Sequence, residues 1–245
     1  MRTSSSDDNK YPRFCDLASS DDTVFSAFKS SSIYNEILEH VTKEEGLQYY
    51  NHFKNNQNIL NILEKFKVND SIGEPYTYDY NFGRFSPTSL RYIKVLSDLS
   101  QLKLDDMDIV EIGAGYGGQY TVLRQYAKPK SYTIIDLPEA IKLQRKYIKR
   151  NKLDDIELNF YSLHDLPAIK GDLLISNYAL SECMKEVQDA YIQKIINNCK
   201  RGYIIHNNFE GYNHIDLINL LPHNVKIFKE EPATAPNNVL LTWND

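Results

Sequence analysis

Apolar positions change their period along this chain, and each change marks a different element. Between residues 21 and 67 they recur at helical spacing: Ile33, Ile37, Leu38 and Val41, then Leu47, Tyr50 and Phe53, then Ile59, Ile62, Leu63 and Phe66. This predicts short helices forming a cap. The Gly and Pro of Asp70-Ser-Ile-Gly-Glu-Pro75 mark a turn. Tyr76, Tyr78, Tyr80 and Phe82 then alternate with polar residues, the period of a strand. The ribbon they form has one aromatic face, which either stacks on a sugar ring, with Tyr80 as a substrate contact, or packs on the main domain. Capping residues at Ser86-Pro-Thr-Ser89 open an amphipathic run to Leu99, a helix leading into the core.

From Asp108 the pattern becomes strand, helix, strand. Strands are predicted near 108–112, 131–135, 156–161, 172–176 and 202–206, and helices near 117–127, 138–150, 184–199 and 212–220. That alternation means a parallel sheet covered on both faces. The last two apolar runs, Val225–Phe228 and Asn238–Trp243, are joined by a Pro/Asn-rich loop too short for a crossover helix, which implies an antiparallel pair at the sheet edge. The expected class is therefore α/β and Rossmann-like, with a helical cap and lead-in over 21–100 and a core over 101–245. Residues 1–20, rich in Ser and Asp, are expected to be mobile or loosely attached.

Composition narrows the function classes. With 245 residues, 42% of them hydrophobic, one domain with a substantial core and an additional segment is expected. The net charge of −5 and the lack of a basic cluster beyond Lys142–Lys152, which fits an exposed helix face, disfavour a nucleic-acid partner. No run approaches the roughly 18 apolar residues of a membrane span, and the polar first ten residues lack a signal-peptide core. Three widely spaced cysteines, Cys15, Cys183 and Cys199, predict reduced thiols and a cytoplasmic protein. The helical N-terminal segment offers a surface for a homodimer.

The chemistry concentrates where an apolar run ends in Glu111 and a glycine cluster, Gly113-Ala114-Gly115-Tyr116-Gly117-Gly118-Gln119, opens a helix. Glycines are wanted there because the turn needs positive φ and because backbone must come close to a nucleotide-like ligand. Gly113, Gly115 and Gly118, with Asp136 about 20 residues on, also satisfy a dinucleotide pattern. With Glu111 and Gly117 added, the segment resembles motif I of the class I S-adenosylmethionine (SAM) methyltransferases. That resemblance implies SAM as cofactor, with Glu111, Gly113, Ala114 and Gly115 at the turn and Asp136, beside Leu137, binding the ribose hydroxyls. The antiparallel ending again favours a methyltransferase over a dinucleotide fold.

Several further segments resemble the sugar O-methyltransferase family of bacterial glycan gene clusters: Gly73-Glu-Pro75, Ser89-Leu-Arg-Tyr92, Ile135-Asp-Leu-Pro138, and Asp172-Leu-Leu-Ile-Ser-Asn-Tyr-Ala-Leu-Ser-Glu182. The likeness spans about residues 73–243 and implies transfer of a methyl group to a hydroxyl of a sugar, as nucleotide sugar or glycan precursor. Ala114 stands where glycine is expected in relatives, and the N-terminal 70 residues lie outside the resemblance.

Methyl transfer to a hydroxyl asks for in-line positioning and a general base at the carboxyl ends of the strands. His206 closes the fifth strand and has the right proton affinity for a base. Glu182, after the fourth strand, is placed to orient His206, to act as base itself, or to bind acceptor hydroxyls. Asn177 follows the same strand and is expected at the cofactor, Tyr178 and Asn207 at the substrate, with core packing the alternative for Tyr178. Leu163, His164 and Asp165 follow the third strand where related folds contact adenine, although Asp165 also suits a turn cap. Arg91 matches either the methionine carboxylate or a protein carboxylate, and Tyr116 and Gln119 are expected at the cofactor's amino-acid end. His206, Asn207, Glu210 and His214 match no zinc or calcium spacing, so no metal site is assigned, and Mg²⁺ assistance is the variant. Two other classes compete: an NAD(P)-dependent oxidoreductase or epimerase, and a non-catalytic SAM-binding protein.

Overall fold

The computed structural model describes residues 10–207, 217–221 and 224–244. In chain order the cap contains α1 (Lys10–Ser20), α2 (Asp22–Ser26), α3 (Ser32–Ile37), α4 (Lys43–Phe53) and α5 (Gln57–Leu60), followed by a 3₁₀ stretch at Leu63–Asp70. A hairpin of β1 (Tyr78–Tyr80) and β2 (Gly83–Phe85) leads to α6 (Pro87–Leu99). The core then runs β3 (Asp108–Ile112), α7 (Gly118–Leu123), β4 (Ser131–Ile135), α8 (Pro138–Arg150), β5 (Glu157–Tyr161), β6 (Gly171–Asn177), α9 (Ala179–Glu182), α10 (Lys185–Lys194), β7 (Cys199–His206), β8 (Lys226–Lys229) and β9 (Val239–Trp243). The helix read near 212–220 falls mostly outside the described residues.

Seven strands form one sheet in the order β5-β4-β3-β6-β7-β9-β8. β3 pairs in parallel with β4 and β6, β4 with β5, and β6 with β7, whereas β9 is antiparallel to both β7 and β8. The last strand thus inserts between its two neighbours. All of β4 and four of the five β3 residues are buried, as a parallel strand covered on both faces requires. This is the α/β Rossmann-like sheet with an antiparallel edge that the spacing predicts.

Two apolar layers flank the sheet. Ile109, Leu173, Ile175, Tyr203 and Ile205 pack with the cap, α6, α7 and α8, whereas Val110, Ile112, Leu174, Ile204 and Leu241 pack with α9 and α10. On α8, Pro138 occupies the first turn, and Ala140, Leu143, Gln144, Tyr147 and Ile148 form the buried stripe. Lys142 and Arg150 stay on the exposed face, as the charge pattern predicts.

Residues 10–20 depart from the mobile segment expected there. Tyr11, Phe14, Cys15 and Ala18 are buried at helical spacing, so α1 docks one face on the domain, against α8. Burying a large apolar side chain stabilises by roughly 1.5–3 kcal/mol. The Lys142–Asp16 pair across this contact is more than half exposed and contributes little against water and salt. Composition alone hides this, because four residues on one stripe decide the outcome. The cap is also pinned by Lys29, a fully buried lysine whose Nζ lies 4.2 Å from the Tyr116 ring and 4.8 Å from the Tyr147 ring. It donates to the Asn69 carbonyl and, at 3.1 Å, to Tyr147 Oη. Among the described residues no helix is long and apolar enough to cross a membrane.

Candidate active site

At the carboxyl ends of β3, β4, β6 and β7 lies a cavity of about 310 Å³. The sheet contributes Ile112, Gly113, Gly115, Ile135, Asp136, Leu137, Asn177, Tyr178 and Asn207. The α9–α10 region adds Ala179, Glu182, Cys183 and Tyr191; α6 adds Arg91; and the loop after β8 adds Thr234 and Ala235. The cap closes the remaining wall with Tyr11, Ile37, Leu38 and His40.

The glycine turn is as constrained as its sequence implies. Gly113 has φ +73°, and a Cβ there would lie 2.0 Å from Ala179 Cβ; Gly115 has φ +58°, and its Cβ would lie 2.6 Å from Leu38 Cδ1. A side chain at Gly113 would displace Ala179 at the start of α9, and one at Gly115 would displace the Leu38 side chain. The Asp136 carboxylate accepts from the Leu137 amide at 2.8 Å and from Gln144 Nε2 at 2.7 Å, and Gln144 Nε2 also donates to the Gly115 carbonyl at 2.9 Å. One amide therefore fastens the acid to the turn. Burial raises the Asp136 carboxyl to about 6, against the hydrogen bonds that favour its ionised form.

Glu111 sits behind the turn rather than on the main cavity. It borders a separate space of about 30 Å³ with Ala114, Tyr92 and Arg91. Its carboxylate accepts from Tyr132 Oη at 2.7 Å, and burial pushes it up to about 8. Gln119 is buried too. Its Nε2 donates to the Tyr92 carbonyl and its Oε1 accepts from Asn177 Nδ2, both at 3.2 Å, which orients the Asn177 amide. The outcome is a buried Asn177 Oδ1 without a hydrogen-bond partner, on a residue of the cavity wall.

Arg91 is 7% exposed and lies 5.5 Å from the Tyr178 ring, donating from Nη2 to the Leu38 carbonyl at 3.1 Å. Tyr178 has φ +69°, a conformation that costs a non-glycine residue on the order of 1–2 kcal/mol. Its Oη donates to Glu230 at 2.5 Å. Glu230, 3% exposed, also accepts from the Thr234 amide and hydroxyl and from Asn238, which in turn donates to Asn207 Oδ1 at 2.9 Å. Glu230 and Asn238 thus hold three wall residues in register. Sequence reading missed both, because they act through a loop between the two edge strands.

The other sequence candidates lie off the cavity. His206 closes β7, but strand alternation turns it toward the side of Ile204; it is 1% exposed and does not border the cavity. Tyr116 is fully buried and accepts from Asn69 Nδ2 at 2.9 Å, so it anchors the cap instead of touching the cavity. Tyr80 belongs to a ladder in which its ring stacks on Phe82 at 5.0 Å and Phe82 on Tyr50 at 3.5 Å, so the aromatic ribbon packs on α4. Leu163, His164 and Asp165 do not border the cavity either; Asp165 instead accepts from the Ser162 amide and hydroxyl at 2.7 Å. Glu210 and His214 are outside the described residues, and no group of three metal-ligating side chains comes together among those described. The cysteines are free and buried, with burial pushing the Cys183 and Cys199 thiols up to about 12. None has the exposed, low-pKa setting of a catalytic thiol.

The wall has two ends. At one, Gln144 ties Asp136 to the Gly115 turn, and Gly113 faces Ala179 at the start of α9. At the other, Arg91 packs on Tyr178, which is tied to the Thr234 loop, and donates to the Leu38 carbonyl, two residues before His40. Sequence reading also missed His40, which reaches this second end from the connector between α3 and α4.

No protein-family model and no curated protein sequence matches the chain. Among solved structures it is similar to a SAM-dependent methyltransferase from Aquifex aeolicus, at 14% identity and TM-score 0.45, over 62% of this chain and 86% of that one. An rRNA methylase from Streptococcus thermophilus gives 17% identity and TM-score 0.46, over 62% and 95%. An N-methyltransferase from Bradyrhizobium japonicum in complex with S-adenosylhomocysteine gives 17% and 0.47, over 62% and 83%. Likeness at this level carries no inference about what this chain acts on.

Proposed function

We propose that this chain is a SAM-dependent methyltransferase that methylates a hydroxyl of a small acceptor, a sugar in nucleotide-linked or glycan-precursor form. The observation that carries the reading is the set of groups along one cavity. Asp136 offers a carboxylate to a pair of hydroxyls, the bare faces of Gly113 and Gly115 line the same wall, and Arg91 and the unpartnered Asn177 Oδ1 offer a cation and an acceptor. A ribose joined to a zwitterionic amino acid presents complementary groups in that order. When bound, SAM supplies an electrophilic methyl group on a sulfonium. Asp136 would hold the ribose, Arg91 and Asn177 the methionine carboxylate and ammonium, and Gln119 would fix Asn177 from behind. Glu182, on α9 in the same lining, is assigned to the adenosine end. Tyr178, Asn207 and Thr234 are assigned to the acceptor, held by Glu230 and Asn238.

Calorimetric titration of SAM, S-adenosylhomocysteine and NADH tests the reading. The first two should bind and NADH should not; binding of NADH alone would replace it with a dinucleotide enzyme. Asp136→Ala should weaken SAM by roughly 10–100-fold, the worth of hydrogen bonds to a charged acceptor. Because burial holds the Asp136 carboxyl near 6, protonation removes that acceptor, so SAM affinity should fall as pH drops through about 6. A panel of nucleotide sugars, read by mass for the gain of one methyl group, then tests the acceptor. SAM binding with no turnover on any acceptor would favour a non-catalytic binding protein.

A further inference from the structure

We propose that His40, brought to the cavity by the cap, is the group that accepts the proton of the acceptor hydroxyl. The inference rests on the methyltransferase reading above and adds its missing base. Geometry selects the residue. If Asp136 holds the ribose, the sulfur attached to that ribose lies further along the cavity, toward Arg91, which packs on Tyr178 and donates to the Leu38 carbonyl, two residues before His40. Glu182 lines the cavity from α9, in the segment that carries Ala179 and Cys183. His206 does not border the cavity, and the Tyr178 hydroxyl already donates to Glu230. Among the described residues His40 is thus the imidazole on this wall.

Its surroundings suit the role. Burial, and then the positive charge of Arg91 from α6, hold the imidazole below its ordinary pKa, while Glu45 from α4 pulls the other way. Glu182 and Asp136 share the cavity at its far end. The imidazole is accordingly uncharged at neutral pH. As the acceptor oxygen bonds the methyl carbon, the carbon–sulfur bond breaks with its electron pair going to sulfur, and the hydroxyl proton passes to His40. Positive charge leaves the sulfonium and appears on the imidazolium, so the net charge of the site is unchanged. Water then takes the proton.

The test needs no known acceptor. The His40 ring signal, assigned by its loss in His40→Asn, is followed by NMR against pH in protein alone, with SAM, and with S-adenosylhomocysteine, which has the same shape without the charge. Calorimetry confirms saturation by each. A nearby sulfonium should depress the His40 titration by about one unit or more with SAM relative to S-adenosylhomocysteine. With the first nucleotide sugar turned over in the screen, His40→Asn should lower kcat by roughly 10²–10⁴-fold. It should also remove the acid limb of the kcat/KM profile for the acceptor, measured with SAM saturating at every pH, with SAM affinity changed less than threefold; Glu182→Gln should keep that limb. Identical His40 titrations in two saturated complexes, or an acid limb that survives His40→Asn with SAM kept saturating at every pH, would overturn the proposal. Failure of SAM to bind is a different result and removes the methyltransferase reading itself.

Discussion

The two walls of the cavity are built by different means. The sheet wall is a backbone construction: one strand, one tight turn, one helix start and the end of the next strand, all within the 30 residues from Asp108 to Leu137. The cap wall of Tyr11, Ile37, Leu38 and His40 consists of side chains whose positions depend on α1 docking on α8 and on the Leu38 carbonyl being held by Arg91 and Thr88. A wall fixed by backbone conformation tolerates no side chain, whereas one fixed by docking can be repacked. The sheet wall, assigned above to the cofactor, is therefore rigidly prescribed, and the cap wall is the one open to repacking.

The largest effect should come from breaking the backbone wall. Gly113→Val combines a positive φ, costing about 1–2 kcal/mol, with overpacking against Ala179, costing about 1–3 kcal/mol. Loss of roughly 2–5 kcal/mol in urea unfolding, with no measurable SAM binding, is expected. Gly117→Ala is the comparison: φ is +92°, but the nearest atom to its Cβ would be Ile148 at an ordinary 3.6 Å. Only the conformational cost should appear there. Equal losses for the two variants would mean that Ala179 yields easily and that the wall is less rigid than drawn.

Next in size is the acid behind that wall. Glu111 is held near 8 by burial, far above an unfolded carboxyl. Between the two values the native state binds a proton that the unfolded state has lost, so stability is full below about pH 4 and declines until pH passes 8. Glu111→Gln keeps the shape and the Tyr132 contact and has no proton to lose. The variant should match the wild type near pH 5 and exceed it by several kcal/mol near pH 9 in chemical unfolding. A wild type whose stability does not fall across this window would show that Glu111 is ionised and compensated.

These two cases also show what sequence could and could not convey. Glu111, the glycines and Asp136 could be picked out because a short apolar run and a turn demanding glycine leave a local imprint, and the strand spans at 108–112 and 131–135 coincide with β3 and β4. His40 left no imprint, because its place depends on contacts between residues far apart in the chain. His206 was found at the strand end where it stands, but position along a strand does not say which layer a terminal side chain enters, and this one does not border the cavity. Tyr116 failed for another reason: a buried lysine more than eighty residues earlier in the chain claims its ring.

The junction of the two walls can be measured directly. Leu38 covers Gly115, and a Gly115 Cβ would meet Leu38 Cδ1 at 2.6 Å, the end of a flexible side chain rather than backbone. Gly115→Ala should cost about 2–3 kcal/mol and Leu38→Ala about 1–3 kcal/mol. The double variant should cost less than their sum by about 0.5–2 kcal/mol, because truncating Leu38 removes the clash. Strict additivity would mean that the cap already stands off the turn in solution.

The smallest effect is expected from Asp165, which decides how far the sheet wall extends toward the adenine region. Its Oδ1 accepts from Ser162 twice, and that partner holds its carboxyl below the usual carboxylate range. The side chain is exposed and does not border the cavity. On this geometry Asp165 stabilises its own turn and nothing beyond it. Asp165→Ala should lower the melting temperature by no more than a few degrees and change SAM affinity less than threefold. Since a hydrogen bond from an adenine amino group to a carboxylate is worth about 1.5–3 kcal/mol, a loss of tenfold or more would mean that the turn swings inward when ligand binds. The prescribed wall would then continue past β5, and the boundary between rigid and repackable surface would move to Leu163.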